Sequence, residues 1–140
     1  MVKINVHDDC GNAPKKLYLK DFVISIVKNE STFISDNITD DIRWNVIGGQ
    51  NISGKPDVLA ELQQSRNNEV NELIINTIVT HGYDGVVDGL LKFKDGKAVA
   101  FCDIYRFSSP RNNAPIETIK TFMWKTTPQD HEVSKSFISN

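Results

Sequence analysis

Basic clusters are missing from this 140-residue chain: its 16 lysines and arginines are scattered among 18 acidic residues, for a net charge of −2. A nucleic-acid binder needs a basic face to displace counterions, so that class is not expected. Cysteine is scarce too, with Cys10 and Cys102 far apart in the chain. A disulfide scaffold would use more, which points to a reducing, cytoplasmic setting. No apolar run approaches the roughly 20 residues of a membrane span, and the opening MVKINVHDDC is too polar for a signal peptide. No Cys/His/carboxylate spacing resembles a metal site. Gly48-Gly49 lacks the lysine and helix of a phosphate loop, and no serine nucleophile elbow is present. No metal or cofactor is therefore expected.

What is present suits one domain with its own core: 39% hydrophobic and 24% charged residues. Residues 1–13 carry turn formers (Asp8, Asp9, Gly11, Asn12) and read as a flexible lead-in. Pro14 suits a first helical turn, and Leu17, Phe22, Val23, Ile26 and Val27 follow at helical spacing. A short helix is expected over Glu30 to Ser35, a strand over Ile42 to Ile47, and a third helix from Lys55 to about Gln64. The period then changes. Leu73 to His81, Val86 to Lys94, Ala98 to Phe107 and Ile116 to Lys125 are β-rich runs joined by turn residues, the pattern of an antiparallel meander. Helices first and strands later predict an α+β fold. The single domain is set at 14–125, with a polar tail over 126–140.

Asp95-Gly96 signals a two-residue hairpin. That register pairs Leu90 with Phe101, Asp88 with Asp103 and Val86 with Tyr105 on one face. A tight turn at Tyr83-Asp84 adds His81, opposite Val86, to the same face. Val87, Gly89, Leu91, Cys102 and Ile104 then form the opposite, apolar face, which is expected to meet a second copy in a homodimer; the competing reading is that the C-terminal tail covers it. Two carboxylates facing each other under helices would raise one another's pKa and could do acid–base work with His81 and Tyr105. The competing readings are an aspartate bonded to a backbone amide or a pocket arginine, or moved outward by a bulge, and a strand-end histidine capping its turn. In the last strand Ile119, Thr121 and Met123 are expected to face in, with Phe122 and Trp124 out; the long preceding loop leaves that register open.

The order of elements, with "FISDNITDDIRWNVIGGQNISGK", "HGYDGVVDG" and "FCDIYRF", resembles the nuclear-transport-factor-2-like (NTF2-like) superfamily, in its SnoaL-like polyketide cyclase and ketosteroid-isomerase-like branch. The resemblance spans about Leu17 to Lys125. It implies a cone-shaped curved antiparallel sheet packed against three N-terminal helices, an internal cavity and, commonly, a homodimer. "CDIYRF" is similar to the ketosteroid isomerase segment "DHFRF", whose aspartate stays protonated in an oxyanion hole; that implies Asp103 inside the cavity. The general base of that enzyme falls at Val46 and its oxyanion tyrosine near Phe22. Valine takes no proton and phenylalanine donates none, so steroid isomerisation is not expected.

The resulting expectation is a pocket for a small apolar ligand, walled by Phe22, Trp44, Val46, Val86, Leu90 and Phe101, with core packing the competing reading for Trp44. Asp103, Asp88, His81 and Tyr105 are its polar points. Three functions remain open: isomerase, cyclase or dehydratase chemistry on an apolar carbonyl compound, non-catalytic ligand binding, and a dimeric interaction module. The fold does not choose among them.

Overall fold

The computed structural model describes residues 2–66 and 69–126. Three helices, α1 (Pro14–Val27), α2 (Ser31–Asp36) and α3 (Lys55–Arg66), combine with seven strands: β1 (Lys3–Val6), β2 (Ile38–Val46), β3 (Asn51–Ser53), β4 (Val70–His81), β5 (Asp84–Phe93), β6 (Ala98–Phe107) and β7 (Ile116–Thr126). The α+β expectation holds. The strands form one sheet in the order β1-β4-β5-β6-β7-β2-β3, open at its two edges. It is mixed, not purely antiparallel, because β1 pairs parallel to β4 and β2 pairs parallel to β7. Both parallel pairs join strands distant in sequence, which local turn signals cannot announce. The stretch expected as a lead-in thus supplies an edge strand, and Asn51–Ser53 adds a short strand at the other edge. The tail beyond Thr126 lies outside the described residues.

Helix α1 begins at Pro14, whose missing N–H has no helical partner to lose. Its buried residues Leu19, Phe22, Val23 and Ile26 recur every three or four positions and pack on one face of the sheet. Phe22 meets the ring of Tyr105 edge-on, with centroids 5.9 Å apart. Beneath the helices, Val87, Leu91, Phe101, Tyr105, Ile119 and Trp44 are all buried, and this inner face is the core.

The hairpin between β5 and β6 differs from expectation by one residue. Its loop is Lys94-Asp95-Gly96, closed by Phe93 N–H to Lys97 O at 2.9 Å and by Gly96 N–H to Phe93 O at 3.0 Å. Gly96 has φ 90°, as a three-residue loop ending in a glycine bulge requires. The pairs are therefore Val87 with Asp103, Gly89 with Phe101 and Gly85 with Tyr105. Because side chains alternate, this slip sends every β5 residue to the face opposite to that expected. Packing explains the choice. Glycine at position 89 leaves room for the Phe101 ring, and a Cβ there would lie 3.1 Å from Phe101 Cε1 and 2.0 Å from Ile74 O. The turn before it is Gly82-Tyr83, with His81 opposite Asp84, rather than Tyr83-Asp84.

Candidate buried polar site

The inner face gathers one polar group, centred on Asp103. Asp103 and Tyr105 are two apart on β6, so both point inward. Thr121 on β7 is the register partner of Asp103. Trp44 on β2 lies one row along, opposite Ile119. The Trp44 indole N–H donates to Thr121 Oγ1 at 2.8 Å. The Thr121 hydroxyl donates to Asp103 Oδ1 at 2.6 Å, and the Tyr105 hydroxyl donates to Asp103 Oδ2 at 2.8 Å. Each hydrogen has an acceptor, and the chain runs in one direction across three strands. Asp103, Tyr105 and Thr121 are 0% exposed and Trp44 is 1% exposed, so no water-sized opening reaches them.

Of the residues expected at a pocket, Phe22, Trp44, Phe101, Asp103 and Tyr105 come together here, buried, with half-buried Val46 beside Thr121. The other four do not join them. Asp88, Val86 and Leu90 stand on the outer face of β5, and His81 is exposed at the end of β4 beside Asp84. The expected Asp88–Asp103 face is corrected by the hairpin slip: Asp88 is level with Cys102, and the sheet separates it from Asp103. The same slip divides the expected partner face. Val87, Gly89 and Leu91 are buried under the helices, while Cys102 and Ile104 stay on the outer side.

The outer face is apolar where β4 to β7 cross it. Val79 is 52% exposed, Ile104 37%, Phe122 36% and Trp124 55%. Phe122 is level with Cys102 and Trp124 with Ala100, so both point outward as expected. Ile119 and Thr121 point inward as expected, whereas Met123 is exposed. Asp88 sits among these residues with its Oδ1 buried and, among the described residues, without a hydrogen-bond partner. Burial pushes the Cys102 thiol above its ordinary pKa, and the nearby Asp88 and Asp103 carboxyls add to the effect.

Sequence reasoning missed Lys15 and Tyr18 in α1. Lys15 is 7% exposed. Its Nζ donates to Gly82 O at 2.7 Å and Pro110 O at 2.9 Å, and lies 4.7 Å from the centre of the Phe107 ring. Burial lowers its pKa. It ties the first turn of α1 to two loops at one end of the sheet. The Tyr18 hydroxyl is buried with no partner among the described residues, and burial pushes its pKa up to about 12. A lysine and a tyrosine on an amphipathic helix read as solvent-facing in sequence; here both lie against the Phe107 ring at the end of β6, and the two loops hold Lys15.

Among the described residues no group of three or more His, Cys, Asp or Glu side chains could hold a metal ion. No described helix is long and apolar enough to cross a membrane.

No protein-family model matches the chain, and no relative is found among curated proteins. Solved structures do match. An NTF2-like protein of unknown function from Cytophaga hutchinsonii is 25% identical, with a TM-score of 0.59 over 75% of this chain and 95% of its own. A provisionally assigned SnoaL-like polyketide cyclase from Shewanella denitrificans is 14% identical, with a TM-score of 0.66 over 92% of this chain and 100% of its own. An LEH-like epoxide hydrolase from M. tuberculosis is 13% identical, with a TM-score of 0.64 over 79% of each chain. The architecture expected from "FCDIYRF" and its neighbours is therefore present, and the fold of this chain is NTF2-like.

Proposed function

We propose that this chain is a non-catalytic, homodimeric interaction module of cytoplasmic type, whose working surface is the outer face of its sheet. One observation carries the reading: Val79, Ile104, Phe122 and Trp124 stand exposed together on that face. Monomeric proteins rarely leave such side chains contiguous. Four strands spaced about 4.8 Å apart and ten residues long offer roughly 600 Å² of sheet. A stable interface buries about 800 Å² per partner, which this face and its rims can approach. Free Cys10 and Cys102 suit a reducing compartment.

The separation of Asp88 and His81 from Asp103 and Tyr105 argues against the acid–base group expected from sequence. By the sequence resemblance, the ketosteroid isomerase base falls at Val46 and its tyrosine near Phe22, and neither side chain moves a proton. The Asp103 hydroxyl partners are already committed to holding its carboxyl, the arrangement of a structural network.

The test is sedimentation equilibrium at about 50 μM. The expected mass is twice the 15.8 kDa chain, falling to one chain in Ile104→Glu and in Trp124→Glu. A wild-type monomer would overturn the reading. A second reading, a small apolar ligand on the inner face, is favoured by the burial of a carboxyl in the core, since such groups cluster at functional sites. Native mass spectrometry decides it: a bound mass of a few hundred daltons, lost in Asp103→Asn, would support an inner-face site.

A further inference from the structure

Beyond the apolar strip, the flank of the sheet formed by β3, β2 and β7 carries a different surface. Register places Ser53, Arg43 and Thr118 in one row across these strands, and Asn51, Asn45 and Lys120 two residues further along. Alternation puts all six side chains on the outer face. They line a groove of about 370 Å³, floored by the strands of Trp44, Ile52 and Ile119. That volume lies at the small end of the range for small-molecule sites.

The composition of this lining is one-sided. It holds two cations, four neutral hydrogen-bonding side chains and no carboxylate. Other cations on the outer face are paired: Arg106 reaches Asp84 at 3.4 Å and Glu117 at 3.5 Å, and Lys92 reaches Glu72 at 3.9 Å. Among the described residues neither Arg43 nor Lys120 has an acidic group within salt-bridge distance. On adjacent strands and two residues apart, their Cα atoms are about 8 Å from one another. Their long side chains can converge, and like charges so placed repel. An oxyanion between them would remove the repulsion, with the guanidinium supplying a planar fork of donors and the ammonium a point charge. Thr118 and Asn45 stand at the other two corners and complete its hydrogen bonding.

We propose that this groove is a binding site for the oxyanion group, carboxylate or phosphate, of a small organic anion. The site is independent of the Asp103 network and of the apolar strip.

The experiment is an amide ¹H–¹⁵N titration of the whole chain at pH 7 with sodium phosphate, with sodium acetate and with sodium chloride at matched ionic strength. Saturable shifts confined to residues 43–45, 51–53 and 118–120 are expected with phosphate, acetate or both, and none with chloride. Phosphate alone would define a phosphate-bearing ligand, and acetate alone a carboxylate. Arg43→Gln combined with Lys120→Gln should weaken binding at least tenfold without moving the unfolding midpoint, since both side chains are exposed. If the double variant folds poorly, Lys120→Gln alone must still weaken binding several-fold. Shifts that match chloride, no saturation by 50 mM, or unchanged titration in the variants would overturn the proposal.

Discussion

Thr121→Val tests the central network most directly. Valine keeps the branched shape, so no cavity opens, but the hydroxyl is lost. The Trp44 indole N–H, which donates to Thr121 at 2.8 Å, is then stranded at 1% exposure, and Asp103 Oδ1 loses the Thr121 hydroxyl that it receives at 2.6 Å. A buried polar group left unpaired costs about 1–3 kcal/mol. The stranded donor and the lost hydrogen bond together predict a loss of about 2–5 kcal/mol, out of a total stability on the order of 5–15 kcal/mol. In a chain of this size each kcal/mol moves Tm by roughly 3–5 °C, so a fall of about 6–25 °C is expected. Urea unfolding followed by tryptophan fluorescence gives the free energy. Thr121→Ser, which keeps the hydroxyl, should recover most of it. A cycle with Trp44→Phe should show the two changes to be non-additive, because they remove the same hydrogen bond. If Thr121→Val costs under 0.5 kcal/mol, the network is not the internally satisfied unit described here, and water or a ligand must reach Asp103.

Two further outcomes follow from single positions. Tyr18→Phe removes a buried hydroxyl that has no partner among the described residues and should stabilise the fold by about 1 kcal/mol. Burial raises the Tyr18 pKa to about 12, so the protonated phenol favours the folded state. That contribution is complete below pH 10 and is lost as pH rises through about 12. The phenylalanine variant should therefore show a flatter decline in Tm from pH 10 upward; parallel declines would mean the hydroxyl is solvated. Gly89→Ala would put a Cβ 2.0 Å from Ile74 O, a backbone atom of the neighbouring strand. The strands must part, at about 2 kcal/mol or more, and a wild-type urea midpoint would contradict the β4–β5 register.

Much of the architecture was legible because it is local. Pro14 and the apolar spacing from Leu17 to Val27 define α1 at the observed ends. Ala98 to Phe107 was bounded to the residue by its flanking turns. The inward Ile119 and Thr121 and the outward Phe122 and Trp124 followed from alternation. Asp103 was legible as buried through the likeness of "CDIYRF" to ketosteroid isomerase. The polar group around it was not. Thr121 carried no signal of its own, because its role depends on a β6–β7 register set across an eight-residue loop whose length did not fix the pairing.

The hairpin marks the boundary between the two kinds of information. Asp95-Gly96 determined that the chain reverses there, since a glycine can take the positive φ a turn needs. It did not determine whether two or three residues form the loop. That choice belongs to the sheet: Phe101 needs the space opposite Gly89, and Val87 and Leu91 need the core more than Asp88 does. One residue of slip moved Asp88 to the other side of the molecule from Asp103. Sequence by itself determined the three helices and the strands from β4 to β7, because periodicity and turn chemistry act over a few residues. The tertiary structure decided which side chains share a face, which edge strands β1 and β3 complete the sheet, and where unpaired cations gather, because those depend on pairing between residues tens of positions apart.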